Sequence, residues 1–316
     1  MPSLILNQQS SKRQSGFTLL ELVLVMLIIG LVASTPLVFI DNQDNQLRYD
    51  ETLDKMELLR KSILMQSSYR NQPVLSGFVI DNGVLPPASA TLSQDPTELQ
   101  PLISKGDWSE ESGKNWADFD ALEPHINLGG PSVDASNYPQ LKGYRGHYLN
   151  SGLDSNKEFL DGWGIAFEIR NDADTYDFVF KGDDGLHPSA YGSVVSGAIK
   201  PSDWQVPLNQ LDISVVDNSG TSLVLAVVVF ENKAKDDAER WTTYHFDIGA
   251  SQAEHSLSFT ASEWKKNGGG GLNTSTEKLP IGQHAVFLIN GTSIQIYDRL
   301  LVIPNTTQPA LQFEVN

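Results

Sequence analysis

The densest group of residues that could do chemistry is acidic: Asp172, Asp174, Asp177, Asp183 and Asp184 lie close together in the chain. Paired carboxylates can act as general acid and base, and carboxylates with loop carbonyl oxygens can hold calcium. The spacing matches no EF-hand loop, because glycine is missing at the sixth position, and solvated turns explain the same residues. A calcium ion bound by Asp183 and Asp184 is therefore a hypothesis, and no other cofactor is expected.

Other reactive residue types form no catalytic pattern. The chain has no cysteine, which excludes a disulfide framework, a thiolate metal site and a catalytic thiol. The histidines lack metal-ligand spacing, and no nucleophile elbow, P-loop or dinucleotide fingerprint occurs. The glycine run 268–271 precedes Leu and Asn rather than Lys and Ser or Thr, so it is not a phosphate-binding loop. We therefore expect a protein that is not an enzyme.

Length and charge narrow the class of protein further. A chain of 316 residues is long enough for two folded units with appendages. Asp and Glu total 39 against 22 Lys and Arg, which gives a net charge of −17. Binding to a phosphate backbone needs clustered cations, so no nucleic acid is expected as a partner.

A long apolar segment, residues 17–40, is interrupted by one acidic residue, Glu21. As a helix it would rise about 36 Å, enough to cross a hydrocarbon core of about 30 Å. Lys12 and Arg13 precede it, so the positive-inside rule places residues 1–16 in the cytoplasm and the remainder outside. The segment is longer than the apolar part of a secretory signal. A carboxylate inside such a helix is costly and usually has a partner.

Residues 16–21, Gly-Phe-Thr-Leu-Leu-Glu, followed by this apolar segment, resemble the processing motif of type IV prepilins and type II secretion pseudopilins. The resemblance implies cleavage between Gly16 and Phe17 by a prepilin peptidase, then N-methylation of Phe17. It also implies that Glu21 pairs with the N-terminal amine of a neighbouring subunit. Expected partners are therefore other pilin or pseudopilin subunits, the prepilin peptidase and an inner-membrane assembly platform.

The helix is predicted to continue beyond the membrane, to about residue 70, before Pro73 forbids continuation. The apolar residues of this half recur at three- and four-residue steps: Leu47, Leu53, Met56, Leu59 and Ile63.

Two residues interrupt the first half of the helix, Gly30 and Pro36, and proline removes one backbone hydrogen bond. Such residues are common in membrane helices, so both are simply tolerated under one interpretation. In filaments of the resembled family the corresponding stretch can unwind on assembly. A hinge between Gly30 and Pro36 is the second interpretation.

A loop-rich region follows, and within it one hairpin is predicted. Residues 161–164, Asp-Gly-Trp-Gly, form a turn, and strands follow at 165–169 and 176–180. This order resembles the C-terminal part of the major pseudopilin of type II secretion, where an Asp-x-Trp-Gly turn precedes a strand. There the next strand is followed by a Gly-x-Asp-Gly turn, which residues 182–185 approximate.

Short strands with turn signals between them predict a β-sandwich in the last part of the chain. The seven strand candidates are Leu211–Val216, Ser222–Phe230, Trp241–Ile248, Ser256–Thr260, His284–Ile289, Ser293–Ile303 and Ala310–Val315.

The predicted fold class is α+β, and four segments make up the chain. Residues 1–16 are a cytoplasmic leader, and 17–72 form a long helix of which 17–40 cross the membrane. Residues 73–204 form a pilin-like globular domain with a small antiparallel sheet against that helix. Residues 205–316 form the separate all-β domain.

We therefore expect a non-enzymatic filament subunit, a pseudopilin or minor pilin of a type II secretion or type IV pilus system. It would cross the bacterial inner membrane once, with its N-terminus cytoplasmic and its bulk periplasmic, before entering a periplasmic or surface filament. The extra β domain favours a position at the tip, since a bulky domain would clash if repeated along the shaft. The alternative is a pilus-tip adhesin whose C-terminal sandwich binds a surface ligand such as glycan.

Overall fold

The computed structural model describes two compact units, Met1–Tyr49 and Asp50–Asn316. The residues it describes are 18–64, 76–88, 90–91, 93, 96–104, 116–172, 175–180, 195–196, 198–233, 236–250, 253–258, 263–272, 275–304 and 311–315.

The described elements make the chain α+β, as the sequence predicted, with a long N-terminal helix and a largely β C-terminal region. The helices are α1 (Leu19–Leu64), α2 (Phe78–Asn82), α3 (Gln100–Ile103) and α4 (Pro201–Trp204). The strands are β1 (Asp120–Leu122), β2 (Gln140–Lys142), β3 (Glu168–Asp172), β4 (Thr175–Phe180), β5 (Val195–Ser196), β6 (Gln205–Pro207), β7 (Asp212–Asp217), β8 (Leu223–Phe230), β9 (Trp241–Ile248), β10 (Ala253–Ser258), β11 (Lys265–Lys266), β12 (Lys278–Pro280), β13 (Gly282–Asn290), β14 (Ser293–Val302) and β15 (Leu311–Val315).

The strands pair in five sheets within the described part of the chain. The largest has five antiparallel strands in the order β11-β9-β8-β13-β14. A second sheet, β10-β7-β15, has three strands, of which β15 runs parallel to β7. The hairpin β3-β4 extends to β5, and the pairs β1-β2 and β12-β6 complete the set.

All seven strands predicted for the C-terminal region have a counterpart in the structure, although β10 begins three residues before its prediction. The sequence missed β6, β11 and β12, because two or three residues are too few to show an alternating pattern. The first strand of the predicted hairpin was placed three residues too early. The preceding turn extends to Ile165, whose amide donates to Asp161 Oδ1 at 2.9 Å, so β3 begins only at Glu168.

Strand β8, in the middle of the five-stranded sheet, is buried on both faces. Its residues Leu225, Val227 and Val229 join one cluster with Val215 of β7 and Phe313 of β15, which we call the inner core. The continuous apolar run of β8 is typical of a strand buried on both faces. The inner core therefore links the five-stranded and three-stranded sheets.

The opposite face of the same sheet forms a second cluster, the outer core. Here Val228 and Phe230 of β8 pack with Phe287 of β13 and with Ile126 and Val133. The last two residues precede position 205, where a separate domain is predicted to begin. The separate folding of residues 205–316 stays a prediction. A fragment that begins at residue 205 would lack Ile126 and Val133 and so expose the outer core to solvent.

Within the Asp50–Asn316 unit, the end of α1 buries one side of the helix. Met56, Leu59 and Ile63 are buried, as the periodicity predicted, together with Thr52. Two other residues of the predicted apolar series are exposed, Leu53 by 37% and Leu47 by 67%. Next to Leu53, the small Thr52 instead is buried and contacts the turn that precedes the hairpin, through the Gly162 amide.

Candidate functional site

The first described turn of α1 is closed by a reciprocal pair, Thr18 and Glu21. The Thr18 amide and hydroxyl donate to Glu21 Oε2 at 2.9 and 3.0 Å, and the Glu21 amide donates to Thr18 Oγ1 at 3.3 Å. A threonine followed three residues later by glutamate is a capping box, which satisfies amides that the helix itself leaves unbonded. Glu21 therefore has partners within its own chain.

The helix that follows is apolar on every side. From Leu19 to Val32 its large apolar side chains are all at least 45% exposed. A helix that is hydrophobic all round requires lipid or other helices around it. Within the described residues, no helix is both long and apolar enough to cross a membrane.

The remaining residues predicted for processing and assembly are placed only in part. Gly16 and Phe17 lie outside the described residues. A side chain at Gly30 would meet nothing within 4 Å, and α1 runs unbroken through Gly30 and Pro36. The hinge between these two residues stays a prediction about the assembled filament.

The acidic group divides between described and undescribed residues. Asp183 and Asp184, the predicted calcium ligands, lie outside the described part of the chain, as does Asp174. Asp177 is engaged across the β3-β4 hairpin, where its Oδ2 lies 2.5 Å from Arg170 Nη2. The described residues contain no group of three or more His, Asp or Glu side chains that could hold a metal ion. Calcium stays a prediction.

The Asp-Gly-Trp-Gly turn joins α1 to the hairpin. Asp161 Oδ1 accepts hydrogen bonds from the amides of Trp163 at 2.8 Å and Ile165 at 2.9 Å, which fixes the turn. The Gly162 amide donates to Thr52 Oγ1 at 3.0 Å. The turn predicted from sequence is confirmed, whereas the role of Thr52 was missed because only tertiary contact brings the two segments together.

A second polar cluster, which no sequence pattern predicted, lies between α2 and β2. The buried Asp81 accepts a hydrogen bond from Arg145 Nη2 at 3.0 Å, and the buried Lys142 donates to the Ile80 carbonyl at 2.8 Å. Burial raises the pKa of Asp81 to about 6, against the attraction of Arg145 and Lys142. Burial likewise lowers the pKa of Lys142 to about 8.

The buried histidines carry no comparable chemistry. His284 Nε2 lies 2.7 Å from the Pro280 carbonyl, and burial lowers the pKa of His284 to about 3. Burial also lowers the pKa of His245. Both side chains are therefore neutral at physiological pH, which fits residues that serve the core.

Comparison with known proteins finds similarity at the N-terminus. Residues 11–35 match the family model described as the prokaryotic N-terminal methylation motif. Searches of curated proteins and of solved structures gave no match to the chain. The matched residues include the predicted cleavage junction, the capping box and most of the apolar segment, up to residue 35.

Proposed function

We propose that this chain, which carries the type IV prepilin-like signature at residues 11–35, is a pseudopilin or minor pilin that assembles through its N-terminal helix. The observation that carries the proposal is the match itself, which spans Gly16, Phe17 and Glu21. Prepilin peptidase removes residues 1–16, Phe17 becomes the methylated N-terminus, and the mature chain joins other pilin-like subunits.

The geometry of the helix start supports an exchange of partners for Glu21 during assembly. Before cleavage the Phe17 nitrogen is part of a peptide bond, and Glu21 is satisfied by Thr18 at 2.9 and 3.0 Å. Cleavage creates a cationic amine one residue before the capping box. A carboxylate in an apolar surrounding gains more from a cation than from neutral donors, so the amine of a neighbouring subunit competes for Glu21.

The exposed apolar helix supports insertion in the inner membrane. Lys12 and Arg13 precede it, so we place residues 1–16 in the cytoplasm and the Asp50–Asn316 unit in the periplasm. In the filament, the helices of neighbouring subunits replace lipid around the side chains of residues 19–32. An inner-membrane assembly platform performs this transfer.

The Asp50–Asn316 unit supports the finer features of the proposal. The hairpin β3-β4 with its preceding turn, held to α1 through Thr52 and Gly162, is consistent with a pilin-like sheet on a helical stalk. The inner core between two sheets is consistent with a C-terminal sandwich. A β region of this size fits a low-abundance subunit at the filament tip.

Three substitutions separate the charge of Glu21 from its capping role. Glu21→Val removes both, Glu21→Gln keeps an acceptor for the capping box but not the charge, and Thr18→Val weakens the cap by about 1 kcal/mol while keeping the charge. We expect all three to insert and to be cleaved. Both Glu21 variants should recover far fewer partner pilin subunits on co-purification, whereas Thr18→Val should recover nearly as many as the wild type.

The outcomes distinguish the two roles of Glu21. Wild-type recovery by Glu21→Gln together with loss in Thr18→Val would assign Glu21 to the helix start alone. Wild-type recovery by Glu21→Val would contradict assembly through this residue altogether.

A further inference from the structure

A cleft of about 540 Å³ lies where the β13-β14 pair meets β2 and α2. Strand β14 forms an edge of the five-stranded sheet, and Gln283 of β13 is the register partner of Leu301. The segment that covers the outer core reaches this edge, where Gln140 Nε2 donates to the Tyr297 hydroxyl at 2.7 Å. Beyond this contact Arg299 and Leu301 line the cleft.

The charge of the cleft is opposite to that of the chain. Its lining includes three cations, Lys142, Arg145 and Arg299, and a single carboxylate, Asp81. Asp81 is only 2% exposed and is already paired with Arg145 at 3.0 Å. The whole chain carries a net charge of −17, so a positive cleft on it is an unusual local feature.

The guanidinium group of Arg299 is accessible to a ligand in the cleft. It is exposed, and its Nε donates to the Tyr297 hydroxyl at 2.8 Å, which orients the guanidinium group. No carboxylate of the described residues lies within ion-pair distance of it. An exposed and oriented guanidinium group matches a carboxylate in geometry and charge.

The cleft also presents an apolar side chain that the local pattern would place inside. In β2, Gln140 and Lys142 are 4% exposed, whereas Leu141 between them is 64% exposed. Leu141 lines the cleft together with Leu301 and Phe119, and Phe119 carries the Arg145 guanidinium at 4.1 Å from its ring centre. The cleft thus combines an exposed leucine with an arginine that has no carboxylate partner among the described residues, which suits a ligand with both apolar and acidic groups.

We propose that this cleft docks an extended acidic segment of a partner protein, with a carboxylate on Arg299 and a neighbouring apolar side chain on Leu141. Charge complementarity on an otherwise acidic chain favours this occupant over a neutral peptide. The cleft lies outside the N-terminal helix, so the inference does not depend on the proposed mode of filament assembly.

The test uses the full chain in nanodiscs of zwitterionic lipid and a capped, fluorescein-labelled nonapeptide of alternating Glu and Leu. We expect saturable binding by fluorescence anisotropy, weakening with added salt. Arg299→Gln should lower the affinity about tenfold, since a hydrogen bond between charged groups is lost. Leu141→Ser should also lower it. The matched control is Lys265→Gln at the other edge of the same sheet, which removes the same charge and should leave binding unchanged.

Several results would overturn the proposal. They are the absence of binding, equal binding of a peptide with Gln in place of Glu, and unchanged affinity in both Arg299→Gln and Leu141→Ser. Arg299-dependent binding to phosphatidylglycerol vesicles without peptide binding would assign the cleft to a lipid headgroup instead. Arg299-dependent self-association of the chain, again without peptide binding, would assign it to a second copy. Melting curves of both variants should match the wild type, because both side chains are exposed.

Discussion

The buried side chain of Asn232 ties three distant segments together, and its removal should destabilise the Asp50–Asn316 unit strongly. Its Nδ2 donates to Asn82 Oδ1 at 2.8 Å and to the Ala117 carbonyl at 3.0 Å, and its Oδ1 accepts from the Ala117 amide at 2.9 Å. Asn232 and Asn82 are both fully buried. Asn232→Ala would leave Asn82 Oδ1 and the Ala117 amide without this partner, whereas the Ala117 carbonyl still accepts from the Tyr144 amide at 2.8 Å.

The magnitude follows from the cost of unsatisfied groups. Each buried donor or acceptor without a partner costs about 1–3 kcal/mol. Taking the low end for each of these two groups gives a loss of about 2 kcal/mol, which is a sizeable part of the 5–15 kcal/mol typical of a domain. The variant should therefore unfold at a clearly lower guanidinium concentration than the wild type. Tryptophan fluorescence of the protein in detergent measures this unfolding.

Two comparisons make the Asn232 test specific. Asn290→Ala, which removes an exposed hydrogen bond to Thr221, should change the free energy of unfolding by less than about 0.5 kcal/mol. The double variant Asn82→Ala/Asn232→Ala should lose less than the sum of the single variants, because both belong to one network. A loss below about 1 kcal/mol in Asn232→Ala, or full additivity, would refute this reasoning.

Three further predictions concern a loop contact, a buried charge and an ion. Gly268→Ala should destabilise the chain, since φ is +73° and a Cβ would lie 2.2 Å from the backbone of Gly129, whereas Gly270→Ala, with nothing within 4 Å, should be neutral in the same denaturation assay. Burial lowers the pKa of Lys142 from 10.5 to about 8. Below pH 8 the buried cation therefore lowers the free energy of unfolding, and above pH 10.5, where the side chain is neutral in both states, this cost is absent. The wild type should therefore gain about 3 kcal/mol relative to Lys142→Met between these pH values; equal pH profiles of unfolding would contradict it. Finally, chelator should lower the melting temperature if calcium is bound, and an unchanged melting curve would remove the calcium hypothesis.

Local sequence patterns predicted those features whose cause is local. Short strand candidates with turn signals between them located the C-terminal strands, and the Asp161 turn was found from its residue types. The capping box at Thr18 and Glu21 is equally local. Its Thr-x-x-Glu pattern is visible in the sequence alone.

Features that depend on contacts between distant segments could not be predicted. Alternation in β2 would place Leu141 inside, yet the flanking Gln140 and Lys142 are buried because Tyr297 and the Ile80 carbonyl supply their hydrogen-bond partners. The outer core was missed for the same reason, since residues 117–138 show no regular period. In both cases tertiary contacts outweigh the local pattern.

The mass of the mature protein, extracted from membranes of cells with and without prepilin peptidase, tests the central claim most directly. The match at residues 11–35 and the junction Gly16-Phe17 predict a chain that begins at Phe17 and carries one methyl group. Without the peptidase, the mass should correspond to the full chain. A mature protein that still begins at Met1, or one cleaved beyond Ala33 as after a secretory signal, would contradict the account.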